Sequence, residues 1–118
     1  MPRRDELYLE HIRQAAYKIV KRLHGVSRED FDADDEKQDG IIRQLEIIGE
    51  AAAQVSDAVR VLHPRVDWQG MEDLRNNLID GYPDVNTNRV WGYAQHVPIW
   101  HAQVTVVESW LKADHQSE

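Results

Sequence analysis

The stretch M-E-D-L-R-N-N-L-I-D-G-Y-P (71–83) decides how this chain is read. Its apolar residues Met71, Leu74, Leu78 and Ile79 recur at helical spacing, which predicts a helix with Arg75 projecting from its last turns. Gly81 and Pro83 stop that helix, because glycine tolerates φ > 0 and proline has no backbone N–H to donate. Arg75, Asp80 and Tyr82 therefore gather around one helix C-terminus and the turn after it. Taken alone, this is a helix end with a surface arginine and a half-buried tyrosine.

Upstream, Tyr8, Ile12, Ala15, Ala16, Ile19 and Leu23 step by three and four and draw one apolar stripe. They predict a first helix from Arg4 or Asp5 to about Leu23, ended by Gly25 and with basic residues in its last turn. Ser27 caps a short turn that carries Phe31. The acidic run Asp32, Asp34, Asp35 and Glu36 lacks the regular ligand offsets and glycine turn of a magnesium or calcium loop. A solvated helix start, favoured by the helix dipole, is the more economical reading.

The next helix is the longest expected, from about Asp34 to Val55 or beyond, with Ile41, Leu45, Ile48, Ala52, Val55 and Val59 as its core stripe. Beside that stripe run Asp39, Arg43, Glu46 and Glu50, flanked by Gly49. They form either an exposed ladder of ion pairs, worth a few tenths of a kcal/mol each, or a polar seam facing another subunit, with Gly49 permitting close approach. Ser56-Asp57 either cap a short helix or continue the long one, and His63-Pro64 breaks the chain in both cases. Trp68 is expected to plug the core as a helix begins near Asp67.

Beyond Tyr82 the last helix opens at Asn86 or Thr87. Val90, Tyr93, Val97, Trp100, Val104, Val107 and Leu111 make its buried face, and Pro98 is expected to kink or restart it. The tail from Asp114 to Glu118 is expected to fray. With no strand-like alternation or internal repeat, the fold class is all-α: a four- to five-helix up-and-down bundle, a single domain over residues 1–118.

Composition narrows the function classes. The 118 residues are 42% hydrophobic and 30% charged, with a net charge of −7. That balance opposes a chain-wide nucleic-acid surface, so any RNA contact is local and salt-sensitive. No run approaches the ~18–20 apolar residues of a bilayer span. The opening M-P-R-R-D-E lacks the apolar core of a signal peptide. With no cysteine there is neither a disulfide framework nor thiolate chemistry, which fits the cytoplasm.

The segment from Trp68 to Trp91, W-Q-G-M-E-D-L-R-N-N-L-I-D-G-Y-P-D-V-N-T-N-R-V-W, resembles the signature region of HepT-like proteins of the HEPN superfamily. The resemblance takes in I-I-R-Q-L-E-I-I-G-E-A-A (41–52) and D-E-L-Y-L-E-H-I (5–12), and so reaches nearly the whole chain. Those proteins are small helical ribonuclease toxins paired with a minimal-nucleotidyltransferase antitoxin. Their motif is arginine, a polar residue, three further positions, histidine, any residue, tyrosine. Arg75, Asn76 and Tyr82 match it; Asp80 stands where the family has its catalytic histidine.

The resemblance implies a homodimer with a composite site, no cofactor, and metal-independent RNA cleavage by attack of the ribose 2′-hydroxyl on the adjacent phosphate. It makes Arg75 the phosphate clamp, since a guanidinium stays charged and offers a bidentate fork. Asn76 would hold the phosphate or orient its neighbours, and Tyr82 would be the residue to which the antitoxin attaches AMP. Added phosphates there would crowd the site with negative charge and occupy Arg75. Asp80 does not inherit the histidine's role. Imidazole titrates near neutrality, whereas an ordinary aspartate, with a pKa of ~3.9, is charged at pH 7 and repels phosphate.

His11, His24, His63, His96, His101 and His115 all lie outside the motif and show no metal-ligand spacing. Each reads as a surface or partly packed histidine rather than a replacement catalyst. The expectation is therefore a HepT-like ribonuclease subunit with impaired catalysis, Asp80 marking either a natural variant or an inactivated form of an active toxin. Two other classes are a non-catalytic dimer that binds a nucleotidyltransferase and a purely structural helical dimer.

Overall fold

A computed structural model describes residues 3–79 and 86–116. Among them are six helices: α1 (Arg3–Leu23), α2 (Arg28–Asp32), α3 (Asp35–Gln54), α4 (Asp57–Leu62), α5 (Trp68–Ile79) and α6 (Thr87–Gln116). Four are long, and α2 and α4 are one-turn helices inserted at the corners. The all-helical bundle expected from the apolar periodicity is the one observed, with the two corner turns wound tightly enough to count as helices.

Local chemistry sets the boundaries. Gly25, at φ 73°, takes the left-handed turn after α1 that an L side chain resists. Ser27 accepts from the Asp30 N–H at 3.1 Å and starts α2. Asp34 accepts from the Lys37 N–H at 2.9 Å, so the acidic run is a helix start, with Asp35 and Glu36 in the first turn at the positive end of the dipole. Ser56 caps α4, which settles that the chain bends after Val55 instead of prolonging α3. α6 does not restart at Pro98: it runs on as one helix, and on to Gln116 through the part of the tail expected to fray.

α1 lies along both α3 and α6, and α5 packs on α3. The expected stripes supply the core: Ile12 and Ile19 of α1, Leu45 and Ile48 of α3, Leu74 of α5 and Val104 of α6 are all fully buried. Leu9, also fully buried, was not part of the expected α1 stripe.

Two polar ties fix α1, one near its start and one at its middle. Near its start, buried Asp5 accepts from the Ser56 N–H at 2.9 Å and the Ser56 hydroxyl at 2.7 Å, joining α1 to the α3–α4 corner. Further along, Glu108 of α6 is 3% exposed and accepts from Arg13 Nε and Lys112 Nζ, each at 2.8 Å. Burial pushes the Glu108 carboxyl up, but the hydrogen bonds and charges of Arg13 and Lys112 outweigh it and hold the group below its ordinary value of 4.5.

Because the folded-state pKa is depressed, this tie contributes stability above pH 4.5 and loses it as pH falls through the folded value. Glu108→Gln is expected to cost about 1–3 kcal/mol at pH 7. It should also flatten the acid side of the stability curve, as read by urea unfolding at pH 3.5, 5 and 7.

Candidate functional site

The position of α5 determines where Arg75 points. At its start Asp67 accepts from the Gly70 N–H at 3.1 Å and from the Trp100 indole of α6 at 3.1 Å. Trp68 is buried as expected, and its indole N–H donates to the His63 carbonyl at 2.9 Å. Arg60 of α4 then locks α5 to α3. Its guanidinium donates to the α3-end carbonyls of Ala52 and Val55, pairs with Glu72 of α5 at 3.0 Å, and lies 5.8 Å from the Trp68 ring centre. Those carbonyls belong to a helix C-terminus, whose partial negative charge a cation offsets.

Gly49 brings the two helices into contact. A Cβ placed there would sit 2.9 Å from the backbone nitrogen of Arg75 and 3.3 Å from both the Leu74 Cβ and the Met71 carbonyl oxygen. Glycine is required by close approach of backbones within the chain. Gly49, expected to permit close approach, does so to α5 of its own chain and is buried beneath it.

With Met71, Leu74 and Leu78 facing inward, Arg75, Asn76 and Asn77 are exposed on α5. Arg75 enters an open groove of about 460 Å³, also lined by Tyr8 and His11 of α1 and by Ile47, Glu50 and Gln54 of α3. Among the described residues Arg75 makes no hydrogen bond or ion pair, and Glu50 in the same groove does not engage it. The guanidinium is thus presented to solvent on a backbone that cannot easily shift.

The other predicted residues disperse. Asn76 is exposed and does not line the groove. Asn77 turns the opposite way, donating to the Tyr93 hydroxyl at 2.8 Å across a second groove between α5 and α6. In the polar stripe, Arg43 pairs loosely with Glu46 at 3.7 Å and is 65% exposed, a contact worth little. Asp39 is exposed, and only Glu50 of the stripe reaches the Arg75 groove. Asp80 and Tyr82 lie outside the described residues, as do Gly81 and Pro83.

Sequence reasoning did not assign Tyr8 and His11 to the site. They stand one turn apart on α1, within the 5–12 stretch of the resemblance but more than sixty residues from the motif. Only the packing of α1 along α3 places them beside Arg75.

Residues 12–105 match the family described as HepT-like, Ribonuclease HepT-like. The chain belongs to this family. It is 38% identical over 84 residues to a Caldanaerobacter subterraneus subsp. tengcongensis protein named "Putative RNase TTE0752", covering 71% of this chain and 75% of that one. It is 36% identical over 91 residues to "Probable ribonuclease HepT" of Thermococcus cleftensis, covering 77% and 83%. No solved structure matches. The matched span includes α3, α5, Arg75 and the positions of Asp80 and Tyr82, so the HepT-like assignment covers the whole motif region. Among the described residues no helix is long and apolar enough to cross a membrane.

The Gly49 contact can be tested directly. Gly49→Ala puts a methyl group against backbone rather than against a flexible side chain, and is expected to destabilise the fold by about 1–3 kcal/mol. Urea unfolding with unchanged far-UV circular dichroism in buffer would register that loss.

Proposed function

We propose that this chain is an RNA-cleaving HepT-like subunit in which Arg75 clamps the scissile phosphate and Asp80 weakens the proton transfer that a motif histidine would perform. The observation that carries this reading is the solvent-facing Arg75 guanidinium, free of protein partners among the described residues and seated on Gly49 at the edge of an open groove. A guanidinium with no protein partner keeps its full charge and its bidentate fork available to phosphate oxygens. In a chain of net charge −7 the contact with RNA is local, and its affinity falls as salt rises.

The family match and the relatives named as RNases support RNA as the substrate class. The remaining parts follow from the motif: a homodimer acting as one domain per chain, a nucleotidyltransferase partner, and AMP attached to Tyr82. Asp80 also favours a second reading, in which the dimer has given up cleavage and only binds its nucleotidyltransferase.

The two readings separate on one comparison. With EDTA present, Asp80→His is expected to cleave single-stranded RNA at least ~10²-fold faster than the parent, the usual scale of a general acid–base group. Arg75→Ala in the Asp80→His background should remove that gain. Folded proteins that both fail to cut RNA would leave only the binding reading. Sedimentation at micromolar concentration should show a dimer. With nucleotidyltransferase, ATP and magnesium, mass spectrometry should find AMP on Tyr82 and none on Tyr82→Phe.

A further inference from the structure

Cleavage through the 2′-hydroxyl needs a group that takes one proton and returns it, and a carboxylate at position 80 serves poorly beside a phosphate. His63, His96 and His101 have ring neighbours elsewhere, and His24 faces a different cleft. His24 lies beside Trp91 in a cleft between α1 and α6, and His63 sits edge-on to Trp110 at 5.0 Å. His96 stacks on Trp100 at 5.9 Å, and His101 lies 6.4 Å from the Tyr17 ring. His11 differs. It is exposed, makes no hydrogen bond, ion pair or ring contact among the described residues, and lines the groove that Arg75 enters.

We propose that His11 is the catalytic proton carrier of this chain, acting on RNA whose phosphate is held by Arg75. The inference rests on the RNA-cleaving reading above and supplies what position 80 lacks. The groove's volume, about 460 Å³, is within the ~300–1,000 Å³ range of clefts that enclose small ligands, enough for a phosphodiester and an adjoining ribose. Glu50 lines the same groove from α3 and sets a carboxylate in its wall. Tyr8, one turn before His11, adds a partly exposed ring against which a ribose or base can rest.

In the first half of the step His11 takes the 2′-hydroxyl proton as the 2′-oxygen bonds to phosphorus, and Arg75 holds the non-bridging oxygens. The bond from phosphorus to the 5′-oxygen then breaks, and the imidazolium returns its proton to that oxygen. The products are a 2′,3′-cyclic phosphate and a 5′-hydroxyl end, with the histidine restored.

The test uses the full chain, EDTA and a labelled single-stranded RNA, with binding followed on the 2′-O-methylated form of the same oligonucleotide. The parent should cleave slowly to cyclic phosphate. His11→Ala and His11→Gln should each cleave at least ~10²-fold more slowly, while melting at the parent's temperature and binding the methylated RNA within a few-fold. His101→Ala, altered away from the groove, should keep the parent's rate.

Cleavage by folded His11→Ala at the parent's rate would overturn the role of His11 while leaving the RNA-cleaving reading intact. So would a silent parent beside an active Asp80→His protein. Silence of every protein, Asp80→His included, would sink the RNA-cleaving reading and the inference with it.

Discussion

The contact between α3 and α5 at Gly49 governs the rest of this molecule. A missing side chain lets the backbone of Arg75 come as near to α3 as atoms allow. Any larger residue would push α5 outward and take Arg75 with it. The neighbouring tie through Arg60 works toward the same end: one guanidinium satisfies two carbonyls at the end of α3 and pairs with Glu72 on α5. Together they turn a twelve-residue helix, too short to be stable alone, into a fixed support for one exposed cation.

The α1 wall of the groove is held by ties at the start and the middle of that helix. Asp5 and the Arg13–Glu108–Lys112 cluster are costly to bury singly, and each is supplied with partners on a different element. These ties orient α1 between α3 and α6, and the outward turn bearing Tyr8 and His11 then faces α5 across α3. The arrangement gathers an imidazole, a phenol, a carboxylate and a guanidinium from three helices. None of the four lies within the apolar stripes that drive folding of the bundle, apart from Tyr8 at the stripe's edge.

Charge places a further constraint on how the proposed site would meet RNA. The chain carries 21 acidic residues against 14 Lys and Arg, so attraction at a distance is weak and recognition depends on short-range contacts. Arg75 is not neutralised by Glu50 or by any other described residue. Asp80, five residues further on in the sequence, carries a charge of the opposite sign.

The sequence by itself determined the helices, their caps and their buried faces, because apolar residues three and four apart and Ser, Asp or Gly at the ends act within a few residues of chain. It also determined the family, through the motif around Arg75. It left Ser56 undecided between a cap and a continuing helix, since the answer depends on Asp5, fifty-one residues away. Gly49 was legible as a close-approach residue, but what approaches it was not: the partner is α5 of the same chain. His11 looked like any surface histidine, for its meaning comes only from Arg75 lying across the groove. Packing alone decided these, because contacts between distant segments leave no periodic trace in the segments themselves.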